Sequence, residues 1–198
     1  VGKVIDDFDR NNFNTAIAAI MGQEAPSGER KVAFVRCNGG TNAAKRYEYV
    51  GVKDCLSATK VAGGPLECQF GCLGFGSCVA ACKFDALHIG PNGAAVVDKE
   101  KCTNCGACRE ACPRKLIVEV PYSKKVFVNC SNKDKGPAVT KVCANSCIGC
   151  GLCAGTCPEV FHMGDDGLAH GSGIPEGQLE AAQEARDGCP VSAISIEA

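Results

Sequence analysis

The sequence contains no tryptophan, two methionines and only 6% aromatic residues. A chain of 198 residues with so few large side chains has little material for several apolar cores, so something besides apolar packing should hold the fold together. A basic excess is also missing, and the formal net charge of −1 argues against a nucleic-acid-binding protein. Because the sequence shows no Ser/His/Asp catalytic set, phosphate-binding loop or paired carboxylates, we expect no ordinary substrate pocket.

A secretory signal is missing too. The apolar stretch AIAAIM at 16–21 is too short for the core of such a signal, and the residues before it are acidic and polar. What the chain does contain is cysteine, 17 residues in all, together with 24 glycines. A cysteine-rich chain has three physical explanations: disulfides, zinc or iron–sulfur clusters. An odd cysteine count without a secretory signal fits a disulfide scaffold poorly, which leaves a zinc scaffold and an iron–sulfur protein to be compared.

Cysteine spacing separates these two. A structural zinc site usually has one C-x2-C pair in each half-site, whereas C-x2-C-x2-C-x3-C-P is the run of a bacterial-type [4Fe–4S] cluster. The second cysteine run, CTNCGACREACP at 102–113, has this spacing, and CQFGCLGFGSCVAAC at 68–82 is a stretched version of it. The stretch lengthens the wrapping loop without changing the number of ligands, and Gly71, Gly74 and Gly76 let that loop stay close to a cluster.

In such paired runs the fourth cysteine binds the neighbouring cluster. We therefore predict one cluster on Cys102, Cys105, Cys108 and Cys82, and a second on Cys68, Cys72, Cys78 and Cys112. Each run is followed by a strand-like apolar tail, KFDALHI or PRKLIVEV, and PVSAISIE follows the later Cys189 in the same way. Between the two runs, Gly90–Gly93 is predicted to turn a β-hairpin.

A third run, CIGCGLCAGTCPEVF, contains Cys147, Cys150 and Cys153, and a helix predicted over 175–188 would deliver Cys189 as the fourth ligand. This module resembles the single-cluster bacterial ferredoxins. In that interpretation Cys157 is unassigned and is expected to be a buried free thiol.

Four cysteines remain, each beside a predicted strand or turn: Cys37, Cys55, Cys130 and Cys143. Their number suits a fourth [4Fe–4S] cluster. Buried thiols, two disulfides and a zinc ion in a dispersed tetrahedral site remain as alternatives.

Several motifs occur in a fixed order from about Lys31 to Cys153: VRCNGG, YEYVGVKDCLSA, GGPLECQFGCLGFGSCVAACKFDAL, CTNCGACREACPRKLI, VNCSNKDKG and CIGC. In these motifs the chain resembles the cluster-bearing part of the B subunit of Rnf complexes, which are membrane-bound, ion-translocating ferredoxin:NAD oxidoreductases. Members of that family usually begin with a transmembrane anchor and a further cluster domain, whereas we expect no membrane span in this chain. A second departure is Lys83, which stands where the family usually has proline.

The resemblance implies an electron-transfer subunit that relays electrons from reduced ferredoxin or flavodoxin toward other subunits of a membrane redox complex, in the cytoplasm at the inner face of a prokaryotic membrane. We expect such a relay rather than a stand-alone catalyst, although whether the chain is an enzyme is left open. An electron-relay subunit of a hydrogenase or formate dehydrogenase is the alternative, and a zinc or disulfide scaffold is a third hypothesis.

The expected fold is α+β, with bacterial ferredoxin-like modules of short β-hairpins and small helices packed around clusters. The predicted divisions are an N-terminal polar and helical arm at 1–30, a dicluster core with a flanking cysteine unit at 31–142, and a single-cluster module at 143–198. Lysines 124, 125, 133 and 135 would form either a docking face for an acidic partner or a solvated loop. The three histidines, His88, His162 and His170, lie in no ligand spacing and are expected to be surface or structural residues.

Overall fold

The computed structural model describes residues 29–134 and 137–197. The chain divides into two compact units, Val1–Arg30 and Lys31–Ala198, and the described helices and strands belong to the second. The predicted N-terminal arm falls almost entirely outside the described residues.

The secondary structure consists of short elements. The strands are β1 Lys31–Val35, β2 Leu87–Ile89, β3 Ala95–Val97, β4 Ile117–Pro121, β5 Val126–Val128, β6 Phe161–Met163, β7 Ala169–Gly171 and β8 Ile194–Ile196. The helices are α1 Cys55–Lys60, α2 Ser77–Ala80, α3 Ala107–Ala111, α4 Pro137–Val142, α5 Leu152–Thr156 and α6 Leu179–Asp187, and a 3-10 turn spans Gly40–Asn42. Across the described ranges the strands form two-stranded antiparallel sheets, β1–β4, β2–β3, β5–β8 and β6–β7.

The hairpin predicted at Gly90–Gly93 is confirmed as the turn between β2 and β3. Its geometry recurs between β6 and β7, because Gly93 and Gly167 both have a positive φ, 78° and 76°, that a residue with a side chain adopts only with strain. The three strand-like tails are also confirmed, as β2, β4 and β8.

The predicted helix at 175–188 begins later than expected. Gly177 has φ 81°, and the amide of Gln178 donates to the carbonyl oxygen of Pro175, so the first residues form a turn and α6 begins at Leu179. Its end is as predicted, because the amide of Gly188 donates to the carbonyl oxygens of Arg186 and Glu184.

Small cores hold these elements together, and cysteines belong to each of them. The β1–β4 core contains Val32, Val120 and Phe127, and the C-terminal core contains Val126 and Phe161. A third, small core consists of Ala43, Leu66 and Cys143 with the partly buried Leu73. Cysteine is therefore part of the packing in all three.

Strand β5 is buried on both faces. Phe127 points into the β1–β4 core, where its ring stacks on that of Phe34 with the ring centroids 4.2 Å apart. Val126 and Val128 belong to the C-terminal core. Since β5 pairs with β8, a strand from the predicted 31–142 segment completes the sheet of the C-terminal module. The division at residues 142 and 143 stays a prediction, whereas the α+β fold of short hairpins and small helices is confirmed.

Candidate metal centres

The three cysteine runs share one local geometry. In each run a glycine in the left-handed conformation precedes a short helix, and the second residue of that helix is a buried cysteine. The pairs are Gly76 with Cys78, Gly106 with Cys108, and Gly151 with Cys153. A residue with a Cβ would be strained in this conformation, so glycine allows the loop to turn sharply into the helix.

A second shared contact identifies the equivalent cysteine in each run. The amide of Ala33 donates to Cys102 Sγ at 3.3 Å, and the amides of Ala95 and Ala169 donate in the same way to Cys72 and Cys147. Cys72, and not Cys68, is therefore the equivalent of Cys102.

This register explains the stretched run. The position midway between the first and third cysteines holds Cys105 in the second run and Cys150 in the third, whereas Phe75 holds it in the first. Phe75 packs against Tyr49 with ring centroids 5.4 Å apart. The first run therefore has no cysteine at its middle position, and a cluster bound there would need a ligand from another part of the chain.

Set A is the group of four cysteines that the sequence predicts around the second run. Burial raises the pKa of the Cys108 thiol, and negative charge on its neighbours Cys102, Cys105 and Cys82 raises it further. Cys105 is exposed to solvent. The structure brings together these members of set A: Cys82, Cys102, Cys105 and Cys108.

Glu119 on β4 holds the loop of set A against the β1–β4 sheet. Its carboxylate accepts hydrogen bonds from Asn104 at 2.9 Å and Arg109 at 3.1 Å, and it pairs with Lys31 at 2.8 Å. The contacts with Lys31 and then Asn104 lower the pKa of Glu119 to about 2, so the carboxylate stays charged well into acid.

Set B lines an apolar pocket between α1, α2 and α3 that is partly open to solvent, with Val35, Leu73 and Ile117 in its wall. Burial, together with the charges of the other three cysteines, raises the pKa of the Cys78 thiol to about 12. The members of set B are Cys55, Cys72, Cys78 and Cys112.

Cys55 thus takes the place in set B that the sequence assigned to Cys68. Asp54 holds it there, because this residue caps α1 by accepting from the amide of Ser57 at 2.8 Å and also accepts from the hydroxyl of Ser77 at 2.6 Å. The amide of Cys55 donates to the same hydroxyl at 2.7 Å. These hydrogen bonds join the starts of α1 and α2, which carry Cys55 and Cys78.

Set C lines a second apolar pocket, which is also partly open to solvent. Burial raises the pKa of the Cys153 thiol, and the other three members raise it further by their charge. As in set A, the middle cysteine of the run, Cys150, is exposed. The structure brings together the four cysteines that the sequence predicts here: Cys147, Cys150, Cys153 and Cys189.

Set D contains the remaining cysteines other than Cys157. Burial, together with the charges of Cys37, Cys143 and Cys130, raises the pKa of the Cys68 thiol to about 11. Cys68 is therefore beside the three dispersed cysteines, and Cys55 is absent from this group, which differs from the grouping predicted from the sequence. The members of set D are Cys37, Cys68, Cys130 and Cys143.

Cys157 lies in the third run at the place of Cys82 and Cys112. It is 2% exposed, its Sγ lies 3.9 Å from Gln178 Oε1, and no disulfide joins it or any other of the 17 cysteines. Both Cys82 and Cys112 reach a set formed by another run. Cys157 has no such set beside it in the described part of the chain.

The cysteine sets fit cubane clusters. Among the described residues, no three Cys, His, Asp or Glu side chains lie close enough together to hold a single metal ion. In sets B and C the four cysteines instead line one pocket, which matches a cubane with one thiolate at each of four iron corners. The raised thiol pKa values mean that loading must release protons, as thiolate ligation requires.

Arg114 supplies positive charge beside sets B and D. Its guanidinium donates to the carbonyl oxygens of Cys68 at 2.8 Å and Gly71 at 2.7 Å, which fixes the loop between the two sets. Burial lowers the pKa of Arg114, while the nearby cysteines, Cys68 first, act to raise it. The guanidinium is therefore positioned to offset thiolate charge.

The lysines and histidines lie outside the cysteine sets. Lys124 is half-buried, with Nζ 5.7 Å from the ring centroid of Phe127, whereas Lys125 and Lys133 are exposed. Lys135 lies outside the described residues. The rings of His170 and His162 stack with their centroids 5.7 Å apart, and His170 Nε2 forms a hydrogen bond with Asp166 Oδ1 at 2.9 Å. His88 is exposed on β2.

Known protein families match the chain in its second and third runs. The family model of the 4Fe-4S dicluster domain matches residues 101–162, and that of the 4Fe-4S single cluster domain of Ferredoxin I matches residues 142–196. A ferredoxin of Thermococcus litoralis is 51% identical over 53 residues, which are 27% of this chain and 88% of that protein. The chain belongs to the ferredoxin family of iron–sulfur proteins.

The chain also matches, over longer stretches, the relatives that its motifs predict. The B subunit of the Na(+)-translocating ferredoxin:NAD(+) oxidoreductase complex of Acetobacterium woodii is 47% identical over 133 residues, 67% of this chain and 40% of that protein. The corresponding protein of the proton-translocating complex of Clostridium ljungdahlii is 48% identical over 132 residues, 66% of this chain and 46% of that protein. The resemblance is therefore confirmed, and the chain spans less than half the length of these two relatives. In the described ranges we find no helix with the length and hydropathy of a membrane span.

Proposed function

We propose that the chain is an electron-transfer subunit that holds [4Fe–4S] clusters on sets A, B and C and works within an ion-translocating ferredoxin:NAD oxidoreductase complex. The observation that supports this proposal most directly is the pocket of set C, where four cysteines and Pro190 line one space in a segment matched by a single-cluster ferredoxin model. When bound, each cluster supplies one-electron redox chemistry.

The residues of this chain have three tasks in that function. The cysteines hold the clusters as thiolates, the backbone amides of Ala33, Ala95 and Ala169 donate to ligand sulfurs, and the apolar walls exclude water. Hydrogen bonds to sulfur and burial set a cluster's potential, so both are means of tuning it. The names of these relatives support reduced ferredoxin as electron donor and other complex subunits as partners. We extend the proposal to a cytoplasmic position at a prokaryotic membrane.

The test begins with the chain prepared without oxygen. We expect a brown protein that contains iron and acid-labile sulfide in about equal amounts and is reduced by ferredoxin that has itself been reduced beforehand. Serine in place of Cys153, a member of set C, should remove about four irons per chain, whereas serine in place of Cys157 should remove none. A colourless folded chain would refute the iron–sulfur assignment. Reduction by dithionite but not by ferredoxin would refute the proposed donor.

Partners are tested separately, in membranes of a prokaryote that expresses the chain. We expect a tagged chain to co-purify in mild detergent with integral membrane subunits of the complex and with a subunit that binds NAD(+). Recovery with the catalytic subunit of a hydrogenase or formate dehydrogenase instead would move the chain to another enzyme.

A further inference from the structure

We propose that the four cysteines of set D hold a fourth [4Fe–4S] cluster, placed between set B and set C, which joins the two ferredoxin-like parts into one series of metal centres. The proposal rests on the proposed function, since it requires that sets A, B and C are loaded. Two of its cysteines, Cys37 and Cys68, lie outside the segments that the ferredoxin models match.

Backbone hydrogen bonds bring the separate segments of set D together. The amide of Asn38 donates to the carbonyl oxygen of Asn129 at 3.1 Å, which places Cys37 beside Cys130. Ala43 forms an antiparallel bridge with Cys143, and an atom at the Cβ position of Gly39 would lie 3.0 Å from Cys143 Sγ and 3.7 Å from Cys37 Sγ. Glycine at 39 therefore leaves room for the two sulfurs.

Each sulfur of set D accepts a hydrogen bond from a backbone amide. Cys37 Sγ accepts from Cys72 at 3.2 Å and Cys130 Sγ accepts from Asn132 at 3.4 Å. The amides of Phe70 and Asn145 donate to Cys68 and Cys143. Hydrogen bonds from amides to sulfur are a common feature of cluster ligands, and the sulfurs of set D have such donors beside them.

Set D lies where the three cores meet. Cys37 packs against the β1–β4 core, Cys130 belongs to the C-terminal core and Cys143 belongs to the small core. A group bound by these cysteines therefore cross-links all three cores. Apolar contacts alone would link the cores less firmly, because the small core contains three buried side chains.

The neighbours of set D fix its order among the other sets. Toward set B, Cys37 Sγ accepts the amide of Cys72. Toward set C, the hydroxyl of Ser146 lies 3.2 Å from Cys130 Sγ, and the next residue is Cys147. Sets A and B interlock through α2, which carries Cys78 and leads directly to Cys82. The order along the molecule is therefore A, B, D, C.

Solvent exposure follows the same order. Set A contains the exposed Cys105 and set C the exposed Cys150, whereas sets B and D contain no exposed cysteine. Set B has no exposed cysteine because Phe75 occupies the position that an exposed cysteine holds in sets A and C. The two ends of the series are therefore open to partner proteins and its two middle members are enclosed.

The experiment measures bound mass and metal in the whole chain. Native mass spectrometry of the anaerobic protein should show four cluster increments, with about 16 irons and no zinc. The variants Cys130→Ser and Cys143→Ser should each lose one increment and about four irons, while Cys157→Ser, a matched change at another buried cysteine, should keep all four.

Three results would overturn the proposal. They are a wild-type protein with three increments and four free thiols, a zinc ion in place of the fourth increment, and iron content that is unchanged in both variants. If both variants fail to fold, the wild-type mass still decides, because it counts the clusters directly. In all three cases sets A, B and C would still be loaded, so the proposed function would stand. A wild-type chain without iron would remove the proposed function first.

Discussion

Phe75 and Cys55 give a direct test of the ligand exchange in set B. Phe75 lies three residues after Cys72 and three before Cys78, which is the place of the middle ligand in the other runs. If Cys55 replaces that ligand, then Cys55→Ser should empty set B, and adding Phe75→Cys should restore it. The double variant would convert the first run to the ordinary C-x2-C-x2-C spacing.

The expected magnitude follows from ligand number. The single variant should fall from about 16 to about 12 irons per chain, and the double variant should return to about 16. Because the left-handed Gly76 and the helix α2 already match the other runs, a cysteine at 75 needs no change in the backbone. Removing the Phe75 ring from Tyr49 costs some packing, so we expect the double variant to be less stable to heat than the wild type although fully loaded.

The assay is anaerobic iron and sulfide analysis with native mass spectrometry, and circular dichroism reports folding. Phe75→Cys alone is the control, and it should keep all its clusters. If Cys55→Ser keeps its full iron content, Cys55 is not a ligand and the grouping is wrong. If the folded double variant stays at about 12 irons, position 75 is not the missing ligand site.

Three further changes test the surrounding fold. Gly149→Ala should hinder loading of set C, because its Cβ would meet the carbonyl oxygen of Gly167 at 2.4 Å, while the control Gly155→Ala meets nothing within 4 Å; equal iron content and equal heat stability in both would contradict this. Phe161→Ala, at a side chain 1% exposed, should lower the free energy of unfolding by about 3–5 kcal/mol in denaturant titrations, and a change below about 1 kcal/mol would show that the C-terminal core is not close-packed. The pKa of Glu119 falls from 4.5 to about 2 on folding, so the stabilisation from its ion pairs is fully present above pH 4.5 and is lost as pH falls toward 2. The melting temperature of Glu119→Gln should therefore approach that of the wild type as the pH is lowered over this range. A difference in melting temperature that stays constant would refute the ion-pair account.

The fold is predictable where local signals act alone. The strand-like tails, the β2–β3 hairpin and the end of α6 at Gly188 follow from turn residues and apolar spacing over a few positions. The pairing of β5 with β8 does not, because Val126 and Ile196 are far apart in the chain and either strand could pair with another partner. The late start of α6 depends on the backbone of Gly177, which a helical pattern conceals.

Two of the cysteine sets are predictable for the same reason. Sets A and C each take three ligands from one regular run, and spacing identifies these three. The fourth ligands, Cys82 and Cys189, follow from the known tendency of paired runs to exchange cysteines and from the Cys-Pro pair at 189. The exchange of Cys55 and Cys68 needed another signal, the glycine two residues before the third cysteine, which aligns Cys72 with Cys102 and leaves Cys68 outside the run.

That exchange has a physical consequence for how the molecule is organised. A middle ligand on a short loop is exposed in sets A and C, and an exposed ligand gives partners and solvent access to a cluster. Replacing this ligand with Phe75 and taking Cys55 from a separate, capped helix encloses set B and frees Cys68 for set D. The presence of phenylalanine instead of cysteine at position 75 therefore goes with an enclosed set B and with a Cys68 that belongs to set D. On this reasoning the stretched run belongs to an interior position in the series, and a run with regular spacing belongs to an end.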